Sequence, residues 1–430
     1  MTLHRVSALL FFIALAPGLN AWPGDNGVCT IIPKGNGRDD SDQLLAAVSA
    51  PDCQEIVLPQ PYTYSIQQRL RTDLSNKVLN VYGTLSFSDD LAYWINNSWW
   101  TDFQNLQAAW IATGDNWVMS GGGFNQGGIY GNGQAWYTRA AGYGNQPGRP
   151  MSLYIANASN ALVKDFSVVQ PQFWAVFVDQ SKNITLDGLY VNATNTDPGE
   201  PAGSDWVVNT DGIDTYRSDQ ITIKNWVIQN GDDCVAFKGN STNIFVSNVT
   251  CHGSDGIAFG SLGQYPDRVD YVQNITVKDV TLVPSETNGN PTGAAYFKAW
   301  VGVSLGGPPP NGGGGGTGLV NNVTLENFTF ENVSLPLYLQ SCLTYSGVNV
   351  TQYCNTSTLE FENILVKNFQ GTSSGVNNGS VVSLLCSPAA PCHNFEFVDY
   401  DVTAPAPYTP EYTCQNAINV TGIDCTSPIS

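Results

Sequence analysis

The sequence is poor in charge. Asp, Glu, Lys and Arg make up 12 % of its 430 residues, where about 25 % is usual for soluble domains, and this excludes a coiled coil, a helical bundle or a disordered chain. Cations are the scarcer sign. Seventeen Lys plus Arg against 36 Asp plus Glu leave a net charge of −19, so phosphate backbones and anionic membrane surfaces would repel the chain, and nucleic acid is not an expected partner. Histidine is nearly absent: His4, His252 and His393 are all there are. With no Cys-x-x-Cys either, zinc is a poor reading, and neither metal nor cofactor is expected. No apolar run after the N-terminus reaches the roughly 20 residues that cross a bilayer.

Residues 1–21 combine a basic start (His4, Arg5), an apolar run from Val6 to Ala16 and a helix-ending Pro17-Gly18 before Ala21. This pattern predicts a secretory signal, a mature chain of one domain over 22–430, and an extracellular, monomeric protein. Ten cysteines follow: Cys29, Cys53, Cys234, Cys251, Cys342, Cys354, Cys386, Cys392, Cys414 and Cys425. An even count in a secreted chain suggests five disulfides, and their order invites nearest-neighbour pairing, although order alone does not fix connectivity. Fourteen Asn-x-Ser/Thr sites are glycosylation candidates: Asn96, Asn157, Asn183, Asn192, Asn240, Asn248, Asn274, Asn322, Asn327, Asn332, Asn349, Asn355, Asn378 and Asn419. Many also suit turns just before a Val-Thr or Ile-Thr strand.

The length exceeds one ordinary compact core of about 100–200 residues, so the chain either divides or grows along an axis. Repeats favour the axis. Ala161–Val169, Asn183–Val191, Gln220–Ile228, Asn243–Thr250, Asn274–Leu282, Asn322–Phe330 and Leu359–Val366 share one grammar: alternating β-formers, a polar Asn, Asp or Gly, then a second apolar stretch. Their spacing near 22 residues, with longer gaps where insertions fall, predicts an all-β parallel β-helix in which each coil is buried only by its neighbours. A β-propeller would need about 40–45 residues per unit. Asp39-Asp40-Ser41 ahead of Asp42–Val48 predicts a short N-terminal capping helix. The glycine-rich 306–318 segment predicts a surface loop, without the Gly-Lys-Ser/Thr ending of a phosphate loop. The aromatic segment Tyr93, Trp94, Trp99, Trp100, Phe103, Trp110 and Trp117 suits either packing over the first coils or a wall for stacking sugars.

Chemistry concentrates in Asn209-Thr-Asp-Gly-Ile-Asp214 and Gly231-Asp-Asp-Cys234. Asp211 and Asp232 are one coil apart in sequence, so with Asp233 they are expected side by side on one face at the ~4.8 Å coil spacing. Three crowded carboxylates cannot all ionise freely, and at least one pKa must rise. A raised carboxyl beside ionised ones is what glycoside hydrolysis needs, an acid for the leaving oxygen and a base for water.

These motifs, with Gly260-Ser-Leu-Gly263, Gly35-Asn-Gly-Arg-Asp-Asp-Ser41 and Gly131-Asn-Gly-Gln-Ala-Trp-Tyr137, resemble the polygalacturonases and their relatives, glycoside hydrolase family 28, over nearly the whole mature chain. The resemblance implies a right-handed parallel β-helix that hydrolyses pectin with inversion, Asp232 as general acid, Asp211 and Asp233 holding the attacking water, and Asn209 beside the sugar. Gly260-Ser-Leu-Gly-Gln-Tyr265 is similar to the exo-acting fungal branch. Two departures stand out. Asp255 occupies the position of the family's histidine, with His252 three residues earlier, and Tyr296-Phe297-Lys298 keeps the lysine of an Arg-x-Lys carboxylate grip but loses the arginine. Trading a guanidinium fork for a phenol and adding an acid both weaken an anionic sugar. The expectation is therefore terminal rhamnose or galacturonate release from rhamnogalacturonan. The alternative is an exo-polygalacturonase whose grip combines Lys298, His252 and Arg268; further alternatives are a calcium-dependent pectate lyase and a non-catalytic polysaccharide-binding β-helix.

Overall fold

The computed structural model describes residues 21–23 and 26–426, so the expected leader lies outside the described residues apart from Ala21. Almost every strand pairing is parallel; the exceptions among named strands are Ala21–Pro23 against Val28–Ile31 and Trp99–Trp100 against Gln107–Ala108. The chain winds as a parallel β-helix with three strand rows. A typical coil runs through Lys182–Asp187, Tyr190–Asn192 and Ile213–Tyr216 before its successor begins at Asp219.

One inward position can be followed through the solenoid. Cys29, Ile56, Leu79, Met119, Val163, Leu186, Ile223, Val246, Val277, Leu325, Val366 and Phe397 pair in unbroken register, and all are buried. Eleven steps of ~4.8 Å make a column about 53 Å long. Val163 pairs with Leu186 and Ile223 with Val246, so a coil without insertions takes 23 residues there. Residues that alternate in sequence bury one face per strand, and stacking closes that face against the next coil.

The recurring asparagines make the bends. Asn225, Asn248, Asn274 and Asn322 have φ of 55 to 61°, a left-handed conformation that Asn tolerates better than most residues. Their side chains form ladders along the axis: Asn274 Nδ2 donates to Asn243 Oδ1 at 2.9 Å, and Asn322 Nδ2 to Asn274 Oδ1 at 2.8 Å. The glycosylation candidates Asn183, Asn248, Asn327 and Asn419 likewise donate to an Asn or Asp of a preceding coil.

A helix over Ser41–Ser49 covers the first coils and buries Leu44, Ala47 and Val48. Its cap differs from the simple one expected. Asp40 makes no side-chain cap bond; its carboxylate accepts from Lys34 N, Gln43 Nε2 and Ser65 N, tying helix to coil, while Asp39 Oδ1 accepts from Ser41 N. The cysteines pair as nearest neighbours, 29–53, 234–251, 342–354, 386–392 and 414–425. Among the described residues no helix is long and apolar enough to cross a membrane.

The aromatic segment is mostly packing. Trp94, Trp110 and Trp117 enter the solenoid core, whereas Phe103 and Leu106 join Met151, Tyr154, Trp174 and Phe177 in a second apolar cluster. Trp100 alone of the seven is exposed, at 70 %. Arg217 pins this insertion: it donates to both oxygens of Asp102 (2.6 and 2.7 Å) and both of Asp179 (2.9 and 2.7 Å).

Candidate active site

The third strand row carries the site. Its register runs Ile213, Val235, Ile257, Ala295, Leu337, and the neighbouring outward positions are Asp214, Ala236, Ala258, Tyr296 and Tyr338. Because Ile213 pairs with Val235, 22 residues on, Asp211 aligns with Asp233; the 21-residue spacing to Asp232 is one short of the register. The three carboxyl groups still converge, each offering an oxygen within 4.8 Å of the others. They line a cavity of ≈ 480 Å³ together with Asn209, Asp255 and Lys298.

Each acid has distinct partners. Asp232 is half-buried, and its Oδ2 accepts from Asn209 N at 3.0 Å and Asn209 Nδ2 at 3.1 Å, while Oδ1 accepts from Asp233 N at 2.8 Å. Burial, then the Asp233 charge, raises the Asp232 pKa despite these donors. Asp211 is 2 % exposed and its Oδ1 has no partner; burial and then Asp232 push its pKa well up. Asp233 accepts from the Tyr296 hydroxyl and pairs with Lys298 Nζ at 3.1 Å and Lys238 Nζ at 3.5 Å. Asn230 Nδ2 donates to the carbonyls of Thr210, Asp232 and Asp233 at 2.9 to 3.1 Å, fastening the two acid-bearing turns together.

Lys238 was not legible as a site residue. It is 4 % exposed, sits 3.0 Å from Asp214 and 3.9 Å from Asp211, and its Nζ lies 5.1 Å from the centre of the Trp174 ring. Burial pulls its pKa down, but Asp214, Asp233 and Asp211 outweigh burial and hold it above the ordinary lysine value. The signal available was parity: Ala236 and Lys238 share a face, as do Tyr296 and Lys298. Between the lysine-bearing coils lies Gly260 at φ 129°, where a Cβ would come within 2.4 Å of the Lys298 carbonyl and 2.9 Å of its Cγ. Any larger residue would displace Lys298. Ser261, from the Gly260–Gly263 motif, also lines the cavity, as do Gln104, Asn145, Trp174, Asn311 and Tyr345, which carried no motif.

Both departures have a structural account that removes the argument against an anionic sugar. Ala236 and Ala258 leave room for Tyr296, which packs with them, stacks on Tyr338 (4.7 Å, 13°) and donates to Asp233. It serves the acids instead of leaving an apolar gap, and Lys298 remains on the cavity wall. Asp255 also lines the cavity, but burial, then the charges of Asp232 and Asp233, push its pKa to about 7. In acid it is neutral and repels no carboxylate. His252 ends the strand Ser241–His252, registered between Gln229 and Val283, and Arg268 donates to the Tyr216 hydroxyl at 2.7 Å and lies over Tyr265. Neither lines the cavity; the cations that do are Lys298 and Lys238, so His252 and Arg268 are not placed to join a grip there.

The pattern of Glycosyl hydrolases family 28 matches residues 53–425. The chain belongs to this family. It is accordingly a glycoside hydrolase, which removes the lyase and non-catalytic alternatives. Among similar proteins, "Putative galacturan 1,4-alpha-galacturonidase A" of Aspergillus niger is 50 % identical over 433 residues, covering 97 % of this chain and 98 % of the relative. "Exopolygalacturonase" of Cochliobolus carbonum is 35 % identical over 412 residues, covering 94 % and 87 %. The crystal structure of endo-xylogalacturonan hydrolase from Aspergillus tubingensis superposes with a TM-score of 0.76 at 29 % identity, over 94 % of this chain and all of that one.

Proposed function

We propose that this family 28 hydrolase is a secreted exo-polygalacturonase, a galacturan 1,4-α-galacturonidase that removes terminal galacturonate from pectic chains. The observation that carries the reading is the cavity itself, with three converging aspartates, the Lys298 ammonium on its wall and the 309–311 segment held to residues 105, 145 and 264 beside it. Asn145 Nδ2 donates to Asn311 Oδ1 at 3.0 Å, Asn105 Nδ2 to Pro309 O at 2.7 Å, and Gln264 Nε2 to Pro310 O at 2.9 Å. A roofed cavity suits a chain end better than the middle of a polymer. The names of the 50 % and 35 % identical relatives support the same substrate and mode, and they weigh against rhamnogalacturonan as the preferred chain.

In this reading Asp232 protonates the glycosidic oxygen, and Asp211 and Asp233 orient the attacking water. The acids approach within 4.8 Å, closer than the ~6.5–9.5 Å of most inverting pairs and near the ~5–5.5 Å of retaining ones. The contacts nevertheless favour water as nucleophile. Asp233 is held by Tyr296, Lys298 and Lys238, and Asp211, though its Oδ1 is unpartnered, is 2 % exposed and is reached more readily by a water than by a sugar carbon. Inversion makes β-galacturonate the first product.

A reducing-end-labelled galacturonate pentamer tests both points. Monogalacturonate should be the sole early product, the label should stay on the shortening chain, and proton NMR should show the β-anomer first. A spread of internal fragments, or rhamnose release from rhamnogalacturonan with no action on the pentamer, would overturn the proposal.

A further inference from the structure

A second cavity of ≈ 330 Å³ adjoins the catalytic one, and the two share Asn145 and Asn311 as walls. Those two side chains are hydrogen-bonded to each other at 3.0 Å, so one contact stands where the cavities meet. The second cavity falls within the ≈ 300–1,000 Å³ range of small-ligand sites. Trp100, the exposed member of the aromatic segment, lines it, and an indole face left open to solvent suits a sugar ring.

Arg149 lines the same cavity. It is 1 % exposed, donates through Nε to Gln172 O at 2.5 Å and through Nη1 to Val208 O at 2.9 Å, and its Nη2 has no hydrogen-bond partner. A buried guanidinium with an unmet donor favours an anionic oxygen nearby. Val208 precedes Asn209, so the cavity abuts the turn that holds Asp232.

Resting on the galacturonidase reading, we propose that the Asn145–Asn311 contact is the specificity-determining partition of this enzyme. It ends the sugar track after one unit, and the pocket behind it takes a second uronate when the contact is opened. Asn311 is exposed and lies in the loop with Pro310 and Gly312, so truncating it removes the contact with little demand on the fold.

The test uses the full chain, wild type and Asn311→Gly, on the reducing-end-labelled pentamer, with thermal melts to show that both are folded. The variant should release digalacturonate as well as monogalacturonate, the share of dimer rising on the order of tenfold over wild type. Adding Trp100→Ala should lower the dimer share again. Should Asn311→Gly misfold, Asn145→Gly removes the same contact from the other side, at a residue whose φ of 51° glycine accepts. A folded variant that releases monogalacturonate alone, or no product, overturns the partition. Absence of monogalacturonate from the wild type fails the galacturonidase reading instead; the variant is then assayed on a rhamnogalacturonan oligomer, where release of two units supports the partition and release of one unit alone overturns it.

Discussion

Asp232, Lys238 and Asp255 line one small polar cavity, and each permits a separate measurement. Replacing Asp232 with Asn should lower kcat by about 10²–10⁴-fold while leaving the melting temperature and oligosaccharide binding near wild type, because the amide keeps the shape and loses the proton. Lys238→Met leaves Asp211, Asp214 and Asp233 short of a cation. Removing one partner of a buried charge cluster costs about 3–5 kcal/mol, readable by denaturant titration. Without the ammonium Asp211 also holds its proton to higher pH, so the acidic limb of the kcat profile should move upward; an unmoved limb would limit Lys238 to a structural part. For Asp255, with a pKa of about 7, KM for the pentamer should rise as pH passes through 7 and a negative charge appears beside the sugar. Asp255→Asn should abolish that rise. The motifs Asn209–Asp214 and Gly231–Cys234 made the acids legible, whereas Lys238 was missed because a lone lysine in a strand has no signature until its neighbours across the coils are known.

The elements that hold the site are ordinary strands on an aromatic stack. Phe237, Phe259 and Phe297 follow one another inward of the site, with ring centres 4.9 and 4.5 Å apart. Phe259→Ala should cost about 3–5 kcal/mol in a denaturant titration, since flanking coils cannot collapse into the gap without losing register. Coil strands were readable because a period of two and a bend residue suffice to specify them. Insertions were not, because their contacts are made at a distance. Gln104 Nε2 meets Gln264 Oε1 at 2.6 Å across 160 residues, and Arg217 reaches Asp102 across 115. The same non-locality explains Arg268. A cation counted toward the substrate from its place in the sequence is taken up by Tyr216 and Tyr265.

At the scale of the molecule, burial of acids couples stability to pH. Asp205 and Asp255 rise to about 7 and Asp214 to about 6, burial being the largest cause for each. For an acid whose folded pKa is raised, the stabilisation is fully present below the unfolded value near 3.8 and is lost as pH rises through the folded value. The melting temperature should therefore fall between pH 4 and pH 7 and level off above it. A melting temperature that climbs over that interval would contradict the assignment. The trend matches the proposed role of Asp232 as a protonated acid, and at acidic pH fewer of the 36 acidic residues are ionised to repel the proposed polyuronate substrate.

By itself the sequence determined the solenoid, its disulfide count and the three aspartates that converge on the cavity. Alternating β-formers, asparagine bends and short acidic motifs act over one strand or one turn, and local chemistry is enough to read them. Tertiary structure decided the balance of charge and the extent of the cleft. Whether Asp255 carries a charge depends on burial beside Asp232 and Asp233, and the partition we propose for the sugar track depends on Asn145 meeting Asn311 across 166 residues. Both are set by groups that only the winding of the chain brings together.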